Sequence, residues 1–359
     1  MQNYFDVMRL AVESVLPGNT VLLDDVGMPS VMVRIPKMTY AQLGMGDSTD
    51  IHPAFIVNGK VVDEIFISKY MNIVKNGRAY SLPAQDPAAN IDFDTARAAC
   101  EAKGPGWHLM TRIERGAIIR WCQRNGFIPL GNNNWGKHST ENVYKAIPTY
   151  MYSDTQIGRV ATGTGPLTWY HDQSPAGIAD LCGNGWEWDG GIRTVKGELQ
   201  VLVNNDAADS SHSQLVGSSE WKAISASDGT FITPNGEGTT PGSIKMDWIG
   251  GKLTYSTNIT DAARGSHYCT FANVVCDSTI KDAAKLFLQA LGFLLYAADE
   301  LFASQTVYFN NAEDERSFFS GSNSGDSACG AASFYGGHPR SNQPWRIVFR
   351  AAYVKLPTD

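Results

Sequence analysis

The sequence predicts an α+β domain, and three observations carry that prediction. Asp92–Cys100 and the stretch from Thr111 to about Asn125 read as capped helices. Gly183-Asn-Gly-Trp-Glu-Trp-Asp-Gly-Gly191 reads as an extended segment between sharp turns, and Trp345–Lys355 as a closing strand. Of 359 residues, 18% are charged, below the roughly 25% usual in globular domains, while 35 are Gly and 9 are Trp. Such a chain is not disordered, a coiled coil or a long helical bundle. Its turns need glycine and its layers are filled by rings. The length supports a substantial core without metal or disulfide staples, as two or three units or as one domain with large insertions.

Residues 1–35 pair a short amphipathic stretch (Val7, Leu10, Ala11, Val15) with an apolar patch ending Val31-Met-Val-Arg-Ile-Pro36. This is either an attachment element or the first strand of the main domain; the boundary is set at 50, with the domain running over 51–359. Residues 54–70 predict a hairpin, two β-branched runs around Asn58-Gly59, a dipeptide suited to a type I′ turn. Asp92 or Asp94 caps the first helix, with Ala96, Ala99 and Cys100 on one face, and Gly104-Pro-Gly106 ends it. Thr111-Arg-Ile-Glu114 matches a capping box, and Gly126 is the natural stop. The polar stretch 130–175 is expected to be mostly loop. Residues 196–310 read as an insertion: Glu198–Val203 alternates like a strand, Ser, Asp, Gly and Thr dominate through Gly242, a helix covers Lys281–Ala303, and strand patterns resume only after the block. No solenoid or propeller repeat occurs.

Several function classes are disfavoured. Net charge is −7, with no Lys/Arg block to displace counterions from phosphates, so no nucleic-acid partner is expected. The N-terminus shows no secretory signal, and the apolar window Ala283–Ala303 is broken by Lys285, Gln289, Asp299 and Glu300, so membrane insertion is not expected. Six cysteines form no C-x-x-C pair; Cys269 and Cys276 are either a short disulfide loop or, preferably, two packed thiols. Asn204–Asp209 lacks the spacing of a calcium loop and reads as a solvated turn. His52, His108, His138, His171 and His267 stand outside recognisable motifs and read as structural. No metal and no cofactor is expected.

In the glycine-bounded segment Trp186 and Trp188 share one face and Glu187 takes the other. The preferred role is a buried aromatic layer, with Glu187 anchoring a neighbouring loop through backbone amides. Asp180-Leu-Cys-Gly-Asn-Gly-Trp-Glu-Trp188 resembles the Asp-x-x-Gly-Asn-x-Trp-Glu-Trp signature of formylglycine-generating-enzyme-like domains. Gly106-Trp-His-Leu-Met-Thr-Arg-Ile-Glu114 and Arg346-Ile-Val-Phe-Arg-Ala-Ala352 are similar to two further steps of that family. The resemblance implies a C-type lectin-like fold over 54–195 and 314–356, with the large insertion between. The family's enzyme uses two closely spaced C-terminal cysteines; this chain has only Cys329 there, so catalysis is not expected to carry over.

Residues 320–346 contain no Lys, Glu, Met, Leu, Ile or Val in 27 positions. Asn codons ending in a pyrimidine, substituted at their first two bases, yield Ser, Gly, Asp, Tyr, His, Arg, Cys and Pro, but never Lys, Glu, Gln, Met or Trp. With its frame, Glu315-Arg-Ser-Phe-Phe before and Trp345-Arg-Ile-Val-Phe-Arg-Ala-Ala after, the segment resembles the cassette (about 315–352) of diversity-generating-retroelement variable proteins of phages and prophages. That resemblance implies a hypervariable, non-enzymatic ligand- or receptor-binding surface at Ser322, Ser324, Asp326, Tyr335, Gly337, His338, Pro344 and Arg346, all expected to be exposed. Trp186, Glu187, Trp188, Gly330, Phe334 and Phe349 would be scaffold, with Ile347 anchoring the last strand. The implied partner is a bacterial surface protein or glycan, the implied location a virion or bacterial surface; homo-oligomerisation is left open. The alternatives are an oxidoreductase of the formylglycine-generating type and a carbohydrate lectin.

Overall fold

Both predicted helices form where their caps place them. The computed structural model describes residues 4–142, 146–296 and 301–358. Its α-helices are α1 (Tyr4–Val15), α2 (Phe93–Glu101), α3 (Arg112–Asn125) and α4 (Asp282–Ala290). The Asp92 carboxylate accepts from Thr95 N at 2.7 Å to start α2. Thr111 and Glu114 close a reciprocal capping box on α3, which Gly126 ends in the left-handed region at φ 75°. The architecture is α+β.

The smaller sheet has five strands in the order Asn19–Leu23, Pro29–Pro36, Glu64–Ser68, Ala351–Tyr353, Trp107–Leu109. The boundary at residue 50 is therefore wrong. The first two strands are integral to the domain, and Met32 packs with Phe66 and Trp107. α1 buries no residue of its own and lies against the first strand, where Thr20 donates to Glu13 at 2.7 Å.

The hairpin at 54–70 is shorter than expected. Ile56–Val57 pairs with Lys60–Val61 around Asn58 (φ 54°) and Gly59 (φ 69°), both left-handed as a type I′ turn requires. The second run then leaves to pair with Pro29–Pro36, because Ile65, Phe66 and Ile67 are buried and need a covered, central position.

The larger sheet has twelve strands. Its main path runs Ser266–Thr270, Thr306–Asn310, Phe334–His338, Arg316–Ser320, Trp186–Val195, Glu198–Val201, Lys245–Ile249, Lys252–Ser256, Val274–Cys276. The strand read at Glu198–Val203 forms over Glu198–Val201, but the expectation that strands otherwise resume only after 310 is corrected: 196–310 supplies both ends of the sheet that carries the cassette. Leu199, Val201, Met246, Leu253 and Tyr255 share one core with Phe318 and Phe334. The helix expected over Lys281–Ala303 stops at Ala290, with Gly292 left-handed (φ 66°) just beyond; residues 297–300 lie outside the described residues. At Gly116 a Cβ would stand 2.0 Å from the Ala290 carbonyl oxygen, so α3 meets the end of α4 through a bare backbone. The stretch 130–175, expected as loop, contains a hairpin of Pro148–Ser153 with Gln156–Val160.

The closing strand is two strands in different sheets. Ile347–Val348 runs parallel to Trp186–Glu187 in the large sheet, and Ala351–Tyr353 joins the small one. Arg350 sits at the crossing.

Candidate functional site

Trp186 and Trp188 form the floor beneath the cassette. Both are buried; Trp188 meets Phe93 and Phe319 edge-on at 5.9 and 5.3 Å and donates its indole N–H to Ile91 O at 3.0 Å. Glu187 is also buried, but its partners are not backbone amides. It accepts from Arg350 at 2.8 and 3.1 Å and lies 3.2 Å from Arg115. Arg350 also donates to the Ser68, Lys69 and Ala179 carbonyls. Here two guanidinium groups, not backbone N–H groups, compensate the buried charge. Burial disfavours the ionised form of Glu187, yet the two guanidinium groups outweigh it and hold the carboxyl below its usual range.

The cassette folds as the strand Arg316–Ser320, a loop, the strand Phe334–His338, a second loop, and Ile347–Val348. Its scaffold positions are inside: Phe334 and Phe349 are fully buried, and a Cβ on Gly330 would stand 2.5 Å from the Gln305 side chain. Gln305 in turn accepts from Ala332 N at 2.9 Å, tying the first loop to the segment before the Thr306 strand.

Two expected surface residues are not on the surface. Ser322 and Ser324 are fully buried. The loop folds back on the 133–135 segment: Ser322 Oγ donates to Asp326 O at 2.8 Å, Asn133 donates to Cys329 O at 3.0 Å, and Trp135 N donates to Ser324 O at 2.7 Å. Asp326, Tyr335, Gly337, His338 and Pro344 are partly exposed, and Arg346 is exposed.

An irregular register between Ser317↔His338 and Phe319↔Tyr335 brings Tyr335 and His338 over the same ring. Tyr335 lies 5.1 Å from Phe319, His338 stacks on Phe319 at 5.4 Å, and the two sit 4.6 Å apart. A Cβ on Gly337 would fall 2.5 Å from the Tyr335 ring, so a larger residue there re-aims the tyrosine. Burial holds His338 below its usual pKa, with the charges of Arg346 and Arg316 adding to the effect. Burial raises Asp326, and a hydrogen bond from Cys329 and the charge of Arg346 act against the rise. Arg346 thus connects the two loops electrostatically. Cys329 is buried, which pushes its thiol up.

Several neighbouring rings escaped the sequence reading. Tyr308 stacks on Tyr335 at 4.6 Å, and Tyr268 follows at 5.8 Å from Tyr308, so the expected insertion lengthens the aromatic row. On the other side Trp135, Tyr150, Tyr152 and Trp345 gather beside Arg346. The β-favouring run Thr149, Tyr150 and Tyr152 was a usable strand signal. Trp135 gave none: it holds φ 48°, a conformation costing roughly 1–2 kcal/mol for a side-chain-bearing residue.

Other candidates resolve structurally. Asn204–Asp209 is not a solvated turn: Asn205 donates to Ala54 O and Glu114, and Asp206 accepts from Asn58 N at 2.7 Å. His108 and Glu114 form a buried pair at 2.9 Å, and His267 meets Asp261 at 2.7 Å. All six cysteines are free thiols, Cys269 and Cys276 included. Among the described residues no group of three or more His, Cys, Asp or Glu could hold a metal ion, and no helix is long and apolar enough to cross a membrane.

No family model and no curated protein matches the chain. Among solved structures, PvdO from Pseudomonas aeruginosa aligns over 94% of this chain and 98% of its own, at 14% identity and a TM-score of 0.37. That likeness is too slight to bear on fold family or activity.

Proposed function

We propose that this chain is a non-enzymatic binding protein whose surface is diversified by a retroelement and displayed on a C-type lectin-like, formylglycine-generating-enzyme-like scaffold. It serves attachment of a phage to bacterial surface targets. One observation carries this reading. Six of the eight expected positions, Asp326, Tyr335, Gly337, His338, Pro344 and Arg346, reach the surface, Ser322 and Ser324 do not, and Gly330, Ala331, Ala332 and Phe334 among them and Ile347 and Phe349 after them are buried. Variation at the first set changes a contact surface; variation at the second would disrupt packing. The first loop is held by hydrogen bonds to Asn133, Trp135 and Gln305, and the second by Arg340 on Asp94 and Arg159 on the Trp345 carbonyl, so a new side chain is presented without the cost of ordering a floppy segment. Thiol oxidation fits poorly, since the lone cassette cysteine is buried and its thiolate disfavoured.

The neighbouring DNA tests the reading. A near-copy of codons 315–352, with adenines where the surface residues are encoded and a reverse transcriptase gene beside it, is the expected result. Absence of any such copy from the genome would remove the proposal. In solution, exchanging Tyr335, His338 and Arg346 together for other types from the same codon set should change which bacterial cells retain the labelled protein.

A further inference from the structure

We infer that Trp135, Tyr150, Tyr152 and Trp345 form a fixed aromatic shelf that takes the pyranose rings of a bacterial surface polysaccharide. The inference rests on the display reading above and adds the ligand's chemistry to it. Trp135 and Trp345 lie 6.4 Å apart with planes 24° from parallel, and Tyr152 sits 5.1 and 5.0 Å from them. Tyr150 is 5.6 Å from Trp345. Tyr152 is half exposed and the other three partly so. Three of these rings lie outside the cassette, and Trp cannot arise from a substituted pyrimidine-ending Asn codon. The shelf is therefore constant while Asp326 and Arg346 vary beside it.

The backbone supports this. Bulky residues avoid the left-handed φ of Trp135, and such outliers concentrate where a side chain has work to perform. The indole rests against Gly325, where a Cβ would stand 2.9 Å from the ring.

The rim of the shelf selects the ligand class. Arg159 binds Asp86 through two hydrogen bonds of 2.9 and 3.0 Å, its guanidinium carbon lies 4.4 Å from the centre of the Tyr150 ring, and the Asp86 side chain is 43% exposed. An apolar protein epitope covering the rings would have to desolvate this ion pair without replacing its water. A sugar meets both demands: its C–H face lies on the rings, and its hydroxyls donate to the carboxylate.

The test uses the full chain, labelled, on a panel of bacterial cells treated with periodate or with protease. Retention lost after periodate and kept after protease is expected. Trp135→Gly, which suits the local φ, and Trp345→Ala should each weaken retention at least tenfold with unchanged melting. Trp345→Phe should recover most of it. Retention that is protease-sensitive and periodate-resistant, or unchanged in Trp135→Gly and Trp345→Ala, overturns the shelf and leaves the display reading standing. Retention by no cell at all overturns both.

Discussion

Asp180 shows how much one side chain can hold against the fold. It is buried at φ 60°; one carboxyl oxygen accepts from Gly163 N at 2.8 Å and the other has no hydrogen-bond partner. Burial lifts its pKa from 3.8 to about 6, more than the charge of Arg350 offsets. The folded state thus holds this proton more tightly than the unfolded chain does. Asp180's contribution is best below about pH 4, is lost as the pH rises to about 6, and is flat beyond. The loss is on the order of 3 kcal/mol at about 1.4 kcal/mol per unit. Asp180→Asn should therefore match the wild type in urea melts near pH 4 and exceed it at pH 7; an identical slope in both proteins would refute the assignment. Glu187 works in the opposite sense, its depressed value adding stability that disappears only in stronger acid. Trp186→Ala should cost about 3–5 kcal/mol, since the indole packs on Phe319 and Tyr335 with no room for collapse; melting within a degree of wild type would exclude the packing role. The burial of Trp186 and Trp188 was legible from their spacing. The arginine partners of Glu187 were not, because Arg115 and Arg350 are distant in sequence and nothing local links them.

At the scale of elements, helices announced themselves and short strands did not. Caps at Asp92 and Thr111 and the stop at Gly126 are local chemistry, readable residue by residue. Alternation marked Glu198–Val201, but the other strands of 196–310 are two to five residues long and separated by Ser, Gly and Thr turns, too short for it to register. Their placement depends on a shared core rather than on local preference. The α3–α4 contact gives a sharp test. Gly116→Ala would drive a methyl into the Ala290 carbonyl, and about 1–3 kcal/mol of destabilisation is expected from the forced separation. Ala117→Gly, on the same helix but away from that contact, should show only a propensity and packing loss of about 1 kcal/mol or slightly more. Equal denaturation midpoints for Gly116→Ala and wild type would mean that the helices can part freely.

For the whole molecule, the candidate surface was half legible. Composition marked the cassette, but composition says nothing of depth, and Ser322 and Ser324 went inside because small hydroxyl side chains fit beneath a folded-back loop. The rings around the cassette come from segments up to about two hundred residues away, assembled only by the sheet. The surface residues also differ in how far they support the structure. Tyr335→Ser removes ring contacts with Tyr308, Phe319, Trp186 and His338 and should cost about 1–3 kcal/mol, while Arg346→Ser, exposed, should leave the melting temperature within about a degree. A larger loss for Arg346→Ser would show that it holds the loops together rather than meeting a partner.

The passage of residues 347–353 through both sheets has a consequence for synthesis. Ile347–Val348 pairs with Trp186–Glu187, and Ala351–Tyr353 is seated between two strands made hundreds of codons earlier. A nascent chain cannot complete either sheet until the ribosome has read through residues 320–346 and the strands that follow. A chain cut short there lacks the last strands and leaves Glu187 without Arg350, so the product should be degraded. Completion of both sheets thus depends on the chain being read to its last strands: a substitution at an exposed position passes, and a lost reading frame does not. A chain ended after Trp345 should accordingly lack the near-ultraviolet circular dichroism of the packed indoles and be cut rapidly by protease.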